Sequence, residues 1–388
     1  MKTILIFTQE YNHPKLSKTG GIGVFYKNYA DLLIKKGYKV IVFGANKFNL
    51  DEKKDNLHLH FFRNHYFKTH FIQNLFRSLG KRLKNSQVEA FFLKKEIAYF
   101  TKRLENFIKE NNLSIDIIET HDWNGISLYL NNLSIPYIVR THGINAILAK
   151  MLNIKPSLGR TKVEDEAFLK APHIIFVSNY AKDTYGEIYN KKGIVINNGI
   201  LINNSIVPTN EVIPYSIFFF GSASIRKGID IAINVLRKVR QSYPSATLHI
   251  VGKEYELYQK KYPNEEESHI VNHGHLEGEE LWHTLMKAHV FIFPSRGETF
   301  GLALCEAMAL QKSVVASTFP TFREIITDKI DGFISHNEEE YCKYIISLFE
   351  DETLNKSIAE RAAQKAQLYN FENNVNHSLL YYQKILTL

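Results

Sequence analysis

Short apolar runs alternate with longer amphipathic stretches almost from end to end of the chain. The Ile-Leu-Ile-Phe core of Thr3–Thr8 predicts a buried strand. Val24–Lys36 then repeats apolar residues at helical spacing through Phe25, Tyr29, Leu32 and Leu33, and Gly37 follows where a helix end favours a left-handed residue. Tyr38–Phe43 reads as strand again, and further strands are predicted at Ile115–Glu119, Tyr137–Arg140, His173–Val177 and Ile194–Ile196. Helical segments lie between most of them. This alternation predicts an α/β protein, a parallel sheet wound with helices on both faces.

The stretch Ile202–Pro214 breaks the rhythm, with Asn203, Asn204, Pro208, Asn210 and Pro214 and no periodic apolar pattern. A second series then begins: strand at Ser216–Phe220, helix from Lys227 to Arg240, strand at Thr247–Val251, helix at Glu277–Ala288, strand at Val290–Phe293, helix at Gly301–Leu310, strand at Ser313–Ala316. Helical stretches from Glu338, Glu352 and Glu372 finish the chain. The expected division is a doubly wound lobe over 1–202, a linker over 203–214, a second such lobe over 215–370, and a final helix over 371–388 that returns to the first lobe. Open α/β sheets bind ligands beyond the carboxyl ends of their strands, which directs attention to a cleft between the lobes.

Composition narrows the class. The chain has 388 residues, 45% hydrophobic and 23% charged, which excludes a disordered, collagenous or disulfide-scaffold protein. Cys305 and Cys342 stand in no ligand pattern and read as free thiols in a reducing compartment. Thr3–Phe7 is too short for an export signal, and runs such as Ile217–Phe220 and Val290–Phe293 fall far short of the roughly 18–20 residues that cross a bilayer. A cytoplasmic protein is expected, or one peripheral on the inner face of the membrane.

The net charge of +8 is concentrated. Residues 61–104 hold Arg63, Lys68, Arg77, Lys81, Arg82, Lys84, Lys94, Lys95, Lys102 and Arg103 against only Glu89 and Glu96, interleaved with phenylalanines such as Phe61, Phe71, Phe91 and Phe100. An anionic membrane surface is one partner such a segment fits, and a solvated helical face is the other reading. Nucleic acid is not expected, since no recognition module appears.

The densest chemical signal is the string from Pro294 to Ala309. A strand ends at Phe293, a turn carries Glu298, and a helix begins near Gly301, whose neighbouring N–H groups would hold an anion such as a diphosphate. Glu306 lies in an otherwise apolar helix, so its carboxylate needs partners: a ligand's paired hydroxyls, or nearby backbone or an arginine. Arg226 and Lys227 open a predicted helix, where cations are disfavoured unless something anionic compensates them. His142 closes a strand and precedes Gly143. Gly21-Ile22-Gly23 has Tyr26 where a dinucleotide fingerprint needs a third glycine, so NAD is not expected, while an anion site there stays open. His269, His273 and His275 lack a carboxylate or cysteine to complete a zinc set.

The Pro294–Ala309 string resembles the Glu-x7-Glu signature of glycosyltransferase family 4, retaining sugar transferases of the GT-B fold, with two Rossmann-like lobes facing a central cleft. The resemblance runs from Met1 to about Phe371. It includes Gly20-Gly21-Ile22-Gly23, His121-Asp122-Trp123, Thr141-His142-Gly143, Val177-Ser178, Asn198-Gly199-Ile200, Lys227-Gly228, Ile250-Val251-Gly252 and Glu324-Ile325-Ile326. It implies an acceptor-binding first lobe and a second lobe that binds a nucleotide diphosphate sugar. In that scheme Glu306 holds the ribose, Glu298 contacts the transferred sugar, Phe300, Gly301 and Leu302 support the diphosphate, and Lys227 with Arg226 neutralises it. His142 meets the donor sugar, Gly21 and Gly23 belong to the donor loop, and Asp122 meets the acceptor.

The resemblance further implies transfer to a hydroxyl acceptor, with a lipid-linked or cell-envelope glycan suggested by the basic segment. No Asp-x-Asp motif occurs, so no metal and no cofactor beyond the nucleotide sugar are expected. The chain departs from the family at Ser222, where an arginine is usual, at Gln311, and at Phe319-Pro320-Thr321, where glycines are usual. A GT-B epimerase or phosphorylase, and an inactive sugar-nucleotide-binding or membrane-docked partner subunit, are the alternatives.

Overall fold

A computed structural model of the chain describes residues 2–17, 19–64, 86–201, 211–263 and 268–387. Residues 1–197 together with 372–388 form one compact unit, and 198–371 form a second. The boundary falls before the stretch read as a linker. The reason is local: Ile200 donates to Tyr369 O and forms a bridge with Asn370, which ties it into the second unit. Most of the predicted linker lies outside the described residues.

Unit 1 is built on an eight-stranded sheet of order β3-β4-β2-β1-β5-β6-β7-β8. Its strands are β1 Thr3–Phe7, β2 Lys39–Asn46, β3 Leu50–Lys54, β4 Leu57–Arg63, β5 Ile117–His121, β6 Tyr137–Arg140, β7 His173–Phe176 and β8 Ile194–Val195. Its helices are α1 Gly21–Lys35, α2 Ser86–Glu110, α3 Asn145–Leu152, α4 Leu158–Lys170 and α5 Asn179–Tyr189. β1 is buried at every position, as a central strand covered on both faces must be.

One expectation needs correction. The sheet is parallel except at its edge, where β3 pairs antiparallel with β4. Leu-Asp-Glu-Lys-Lys carries one buried residue and four polar ones, so no apolar pattern announces it. A charged outer strand also blunts the sheet edge against further pairing.

Unit 2 is a six-stranded parallel sheet of order β11-β10-β9-β12-β13-β14, formed by β9 Ser216–Phe220, β10 Thr247–Val251, β11 Ile270–Gly274, β12 Val290–Phe293, β13 Val314–Ser317 and β14 Phe333–Ser335. Between and after these strands come α6 Ile229–Val239, α7 Tyr255–Lys261, α8 Gly278–Met286, α9 Leu302–Ala309, α10 Pro320–Ile325, α11 Glu338–Glu350 and α12 Glu352–Ala366. Ile217, Ile233, Leu236, Leu248, Ile292 and Ile345 meet in its core. Cys305 and Cys342 are free thiols.

The last helix, α13 Phe371–Leu386, serves the first unit. Tyr382 shares a 2.7 Å hydroxyl–hydroxyl bond with Tyr29 of α1, and Glu372 accepts from Lys36 at 2.7 Å. No helix among the described residues is long and apolar enough to cross a membrane.

Candidate functional site

The chain reverses direction across each sheet where sequence-distant strands meet: between β1 and β5 in unit 1, and between β9 and β12 in unit 2. Such switch points leave a crevice at the strands' carboxyl ends. The residues singled out from the sequence gather at these two places, and each is described within its own unit.

In unit 2, the segment after β9 does not enter its helix directly. Ile225–Lys227 forms a single 3-10 turn, Gly228 follows at φ 77°, and only then does α6 start. Lys227 was expected to open the helix; it precedes it, because a Cβ at Gly228 would come within 2.1 Å of Pro294 O and the backbone must turn there. The turn is stitched to the loop after β12: Arg296 N donates to Arg226 O at 2.8 Å, and the Arg296 guanidinium grips both oxygens of Asp230 at 2.7 Å. Arg296 also donates to Ile225 O at 2.7 Å.

This stitching brings together residues 71 positions apart. Lys227 Nζ donates to Glu298 Oε1, and Arg226 lies 3.9 Å from Glu298 Oε2 while donating to Gly297 O at 2.8 Å. Ser295 Oγ donates to Glu298 Oε1 at 3.3 Å, and Thr321 Oγ1 donates to Glu298 O at 3.0 Å. The anion that compensates the two cations here is thus Glu298 itself, 8% exposed. Ser222, the residue standing for the usual arginine, is bonded to Glu254 instead. Arg226 is the second cation of the cluster.

The other half of the string builds an anion-receptive helix start. Gly301 caps α9 at φ 103° without any side-chain cap, and a Cβ there would crowd Phe322 at 3.0 Å. No side chain caps the first turn of α9, and helix-start amides without intrahelical partners are the groups that receive anions. Phe300 is buried, edge-on to Tyr369, and Leu302 is half-buried. One turn on stands Glu306. Part of this residue reaches solvent, and desolvation by the surrounding protein pushes its carboxyl up to about 7. Its carboxylate has no hydrogen-bond or ion-pair partner among the described residues. Gln311 follows α9 at φ 56°, adopting the left-handed conformation that glycine takes more readily.

In unit 1, Asp122 directly follows β5 and His142 lies two residues beyond β6. Asp122 is 3% exposed and saturated: it accepts from His142 N at 2.8 Å, Gly143 N at 3.3 Å and the Tyr185 hydroxyl. It was expected to meet an acceptor; the structure instead places it as the clasp that sets the backbone under His142. Burial raises its carboxyl to about 6, with Tyr185 and the two amides acting against the shift. The His142 ring packs edge-on against Phe25 at 5.5 Å and Tyr26 at 6.1 Å. Burial, then the nearby His121 and Arg140, hold it well below the usual histidine range, so the imidazole is neutral at pH 7.

The glycine loop divides. Gly21 is exposed with open space where a Cβ would stand, whereas the corresponding space at Gly23 is filled by Thr19. Glu10 Oε2 accepts from Thr19 Oγ1 at 2.9 Å and Gly20 N at 3.3 Å, so an anion already sits at the start of α1. Thr321, Ser295 and Asp230 complete the unit 2 cluster without having been read from the sequence; Ser295 and Thr321 stand in the quoted strings, but no spacing rule ties either to Glu298.

The basic segment is described at 61–64 and 86–104; Lys68, Arg77, Lys81, Arg82 and Lys84 lie outside the described residues. On α2, Lys94, Lys95, Lys102 and the 54%-exposed Phe91 border a groove of about 410 Å³ shared with Tyr129. It is larger than the narrow space beside Lys227 and Glu298, and it belongs to the other unit. His273, one of the three histidines weighed for zinc, is bonded to His249 at 3.0 Å.

A family model described as Glycosyltransferase Family 4 matches residues 19–203, and one described as Glycosyl transferases group 1 matches residues 208–365. An uncharacterized glycosyltransferase of Methanocaldococcus jannaschii is 27% identical over 251 residues, 64% of this chain and 68% of that protein. The phosphatidyl-myo-inositol mannosyltransferase of Mycolicibacterium smegmatis is 26% identical over 149 residues, which span 38% of this chain and only 39% of that enzyme. Sucrose-phosphate synthase from Thermosynechococcus elongatus shares the fold with a TM-score of 0.77 at 15% identity, covering 100% of both chains. The two family models lie end to end on two doubly wound sheets, with Lys227, Glu298 and Glu306 at one switch point: the chain belongs to glycosyltransferase family 4 and has the GT-B fold.

Proposed function

We propose that the chain transfers a glycosyl unit from a nucleotide diphosphate sugar to a hydroxyl of a lipid-linked or cell-envelope glycan, with retention at the anomeric carbon and without a metal ion. The observation that supports this most is Glu306, a desolvated carboxylate with no partner among the described residues, one turn beyond the uncapped start of α9. The vicinal hydroxyls of a ribose would donate to both of its oxygens while the diphosphate takes the α9 amides.

Lys227 and Arg226 then exchange Glu298 for the diphosphate. This exchange frees the Glu298 carboxylate for the hydroxyls of the transferred sugar. The bond from the anomeric carbon to the phosphate oxygen breaks as the acceptor oxygen attacks from the same face, and the acceptor's proton passes to the departing phosphate oxygen. Positive charge at Arg226 and Lys227 and the α9 amides stabilise the negative charge that develops there. Asp122 keeps the strand end under His142 in place, and Gly21 leaves room at the start of α1. The likeness to a phosphatidyl-myo-inositol mannosyltransferase supports a lipid-borne acceptor.

Stability against temperature in the presence of UDP, GDP, ADP and their sugars identifies the donor, since a ligand at 100 times its dissociation constant adds roughly 2.7 kcal/mol. With that donor, Lys227→Ala lowers kcat/KM at least tenfold, about 1.4 kcal/mol of transition-state stabilisation. Unchanged kinetics in this variant would remove the proposed diphosphate site. Incubation with labelled donor, with and without acceptor, separates transfer from epimerase or phosphorylase chemistry and from an inactive partner subunit. Replacing Lys81, Arg82 and Lys84 together with glutamine reduces sedimentation with phosphatidylserine vesicles in a salt-sensitive manner. Equal partitioning of variant and parent would leave the acceptor's membrane location without support.

A further inference from the structure

The antiparallel edge of unit 1 carries a cluster that the transfer chemistry does not use. Asp51 on β3 stands opposite His60 on β4 in the strand register, and His58 lies two residues away on the same face of β4. Asp51 Oδ1 is 2.8 Å from His58 Nε2 and Asp51 Oδ2 is 3.0 Å from His60 Nδ1. One ligating atom from each of the three residues falls within 4.8 Å of the other two. We propose that Asp51, His58 and His60 form a binding site for a divalent transition-metal ion of the zinc type, with one position left to water or an external ligand.

The donor chemistry favours such an ion. Two imidazole nitrogens and one carboxylate suit zinc, nickel or copper, whereas magnesium and calcium prefer all-oxygen shells. Ligands on a tetrahedral ion with bonds near 2.1 Å are about 3.4 Å apart. The nitrogen–oxygen pairs are only a few tenths of an ångström tighter than that, held by protons that a metal would displace. Side-chain exposure is 7% at His58, 21% at His60 and 59% at Asp51, so the imidazoles form a protected floor and the carboxylate side opens to solvent.

The rings are also held in orientation before any ion arrives. His60 stacks on Phe43 at 5.4 Å and 10° and meets Phe107 of α2 at 4.4 Å, while His58 meets the same Phe107 at 5.2 Å. Packing thereby does for these ligands what outer-shell hydrogen bonds do elsewhere. Lys53, across the strand pair from His58, is exposed, which leaves its ammonium in water. An ion here would add a metal link to the side-chain bonds by which Asp51 already joins β3 to β4.

The test uses the full chain without a histidine tag, stripped with EDTA and titrated calorimetrically with zinc chloride. One equivalent binds to the parent protein; Asp51→Asn and His60→Gln each weaken that equivalent at least tenfold, and His275→Gln does not. Circular dichroism of the metal-free variants confirms that they fold. Should either fail to fold, anomalous scattering from zinc-soaked crystals of the parent locates the ion directly. Failure to bind one equivalent, unchanged affinity in both hairpin variants, or an ion found only at other histidines overturns the proposal.

Discussion

Replacing Arg140 with methionine will destabilise unit 1 by about 3–5 kcal/mol, the range expected when one partner of a buried ion pair is removed. Arg140 ends β6 with its side chain 1% exposed, and its partner Glu119 on the adjacent β5 is 0% exposed. The guanidinium holds both carboxylate oxygens, at 2.7 and 3.3 Å, and donates to Ser378 of α13 at 2.9 Å. It also lies over the rings of Phe25 and Tyr29 at 4.9 and 5.5 Å. Methionine fills much of the same volume but leaves the Glu119 carboxyl without its counterion in the core. The pairing of Arg140→Met with Glu119→Leu separates charge from packing, because it removes both ions together and should regain most of the loss. Urea unfolding followed by hydrogen exchange, which resolves the two units, is the measurement. Equal stability of the parent and the single variant would mean that water already reaches Glu119. Since Ser378 is part of the net, both variants lose its bond to Arg140, and α13 becomes more open to proteolysis.

The buried parts of both sheets were legible because their strands are covered on both faces. Tyr137–Arg140, Ser216–Phe220, Thr247–Val251 and Val290–Phe293 are runs that only a central position tolerates, and they occur in the structure with those bounds. Leu50–Lys54 is different in kind. Its place depends on pairing with β4, a tertiary fact, and its four polar residues obey no period. The metal-ligand cluster was invisible for the same reason, since His58 and His60 acquire Asp51 only through that pairing.

The site shows the same division. Glu306 stood out as a carboxylate in an apolar helix, and Gly301 as the residue where a helix start comes close to its surroundings; both are local patterns. That Lys227 would meet Glu298 followed from the adjacency of β9 and β12, which no spacing expresses. Asp122 was assigned to the acceptor by resemblance, and in the structure three donors at the ends of neighbouring elements claim its oxygens. A motif names the residues at a strand end; it does not say which way each of them points.

Glu306→Gln should make the unliganded protein more stable and a poorer enzyme at once. Burial raises the Glu306 carboxyl from 4.5 to about 7. Between those values the folded chain keeps a proton that the unfolded chain has released, so the group's contribution to stability falls as pH rises through that window. Above it the parent carries a buried charge without a counterion, which glutamine does not. At pH 8 the variant is therefore more stable by about 1–3 kcal/mol, and at pH 5, where the folded parent is already neutral, the gap falls below about 1 kcal/mol. Asp122 and Glu164, whose carboxyls are likewise raised by burial, titrate in both proteins and cancel from the difference. Donor affinity moves the other way, at least tenfold weaker, because an amide offers one acceptor oxygen and no charge where the ionised carboxylate offers two charged oxygens. Opposite signs in stability and binding would mark Glu306 as a residue kept for its ligand at a cost to the fold. A variant less stable than the parent at pH 8 would show instead that the carboxylate is satisfied within the protein, and the ribose assignment would go with it.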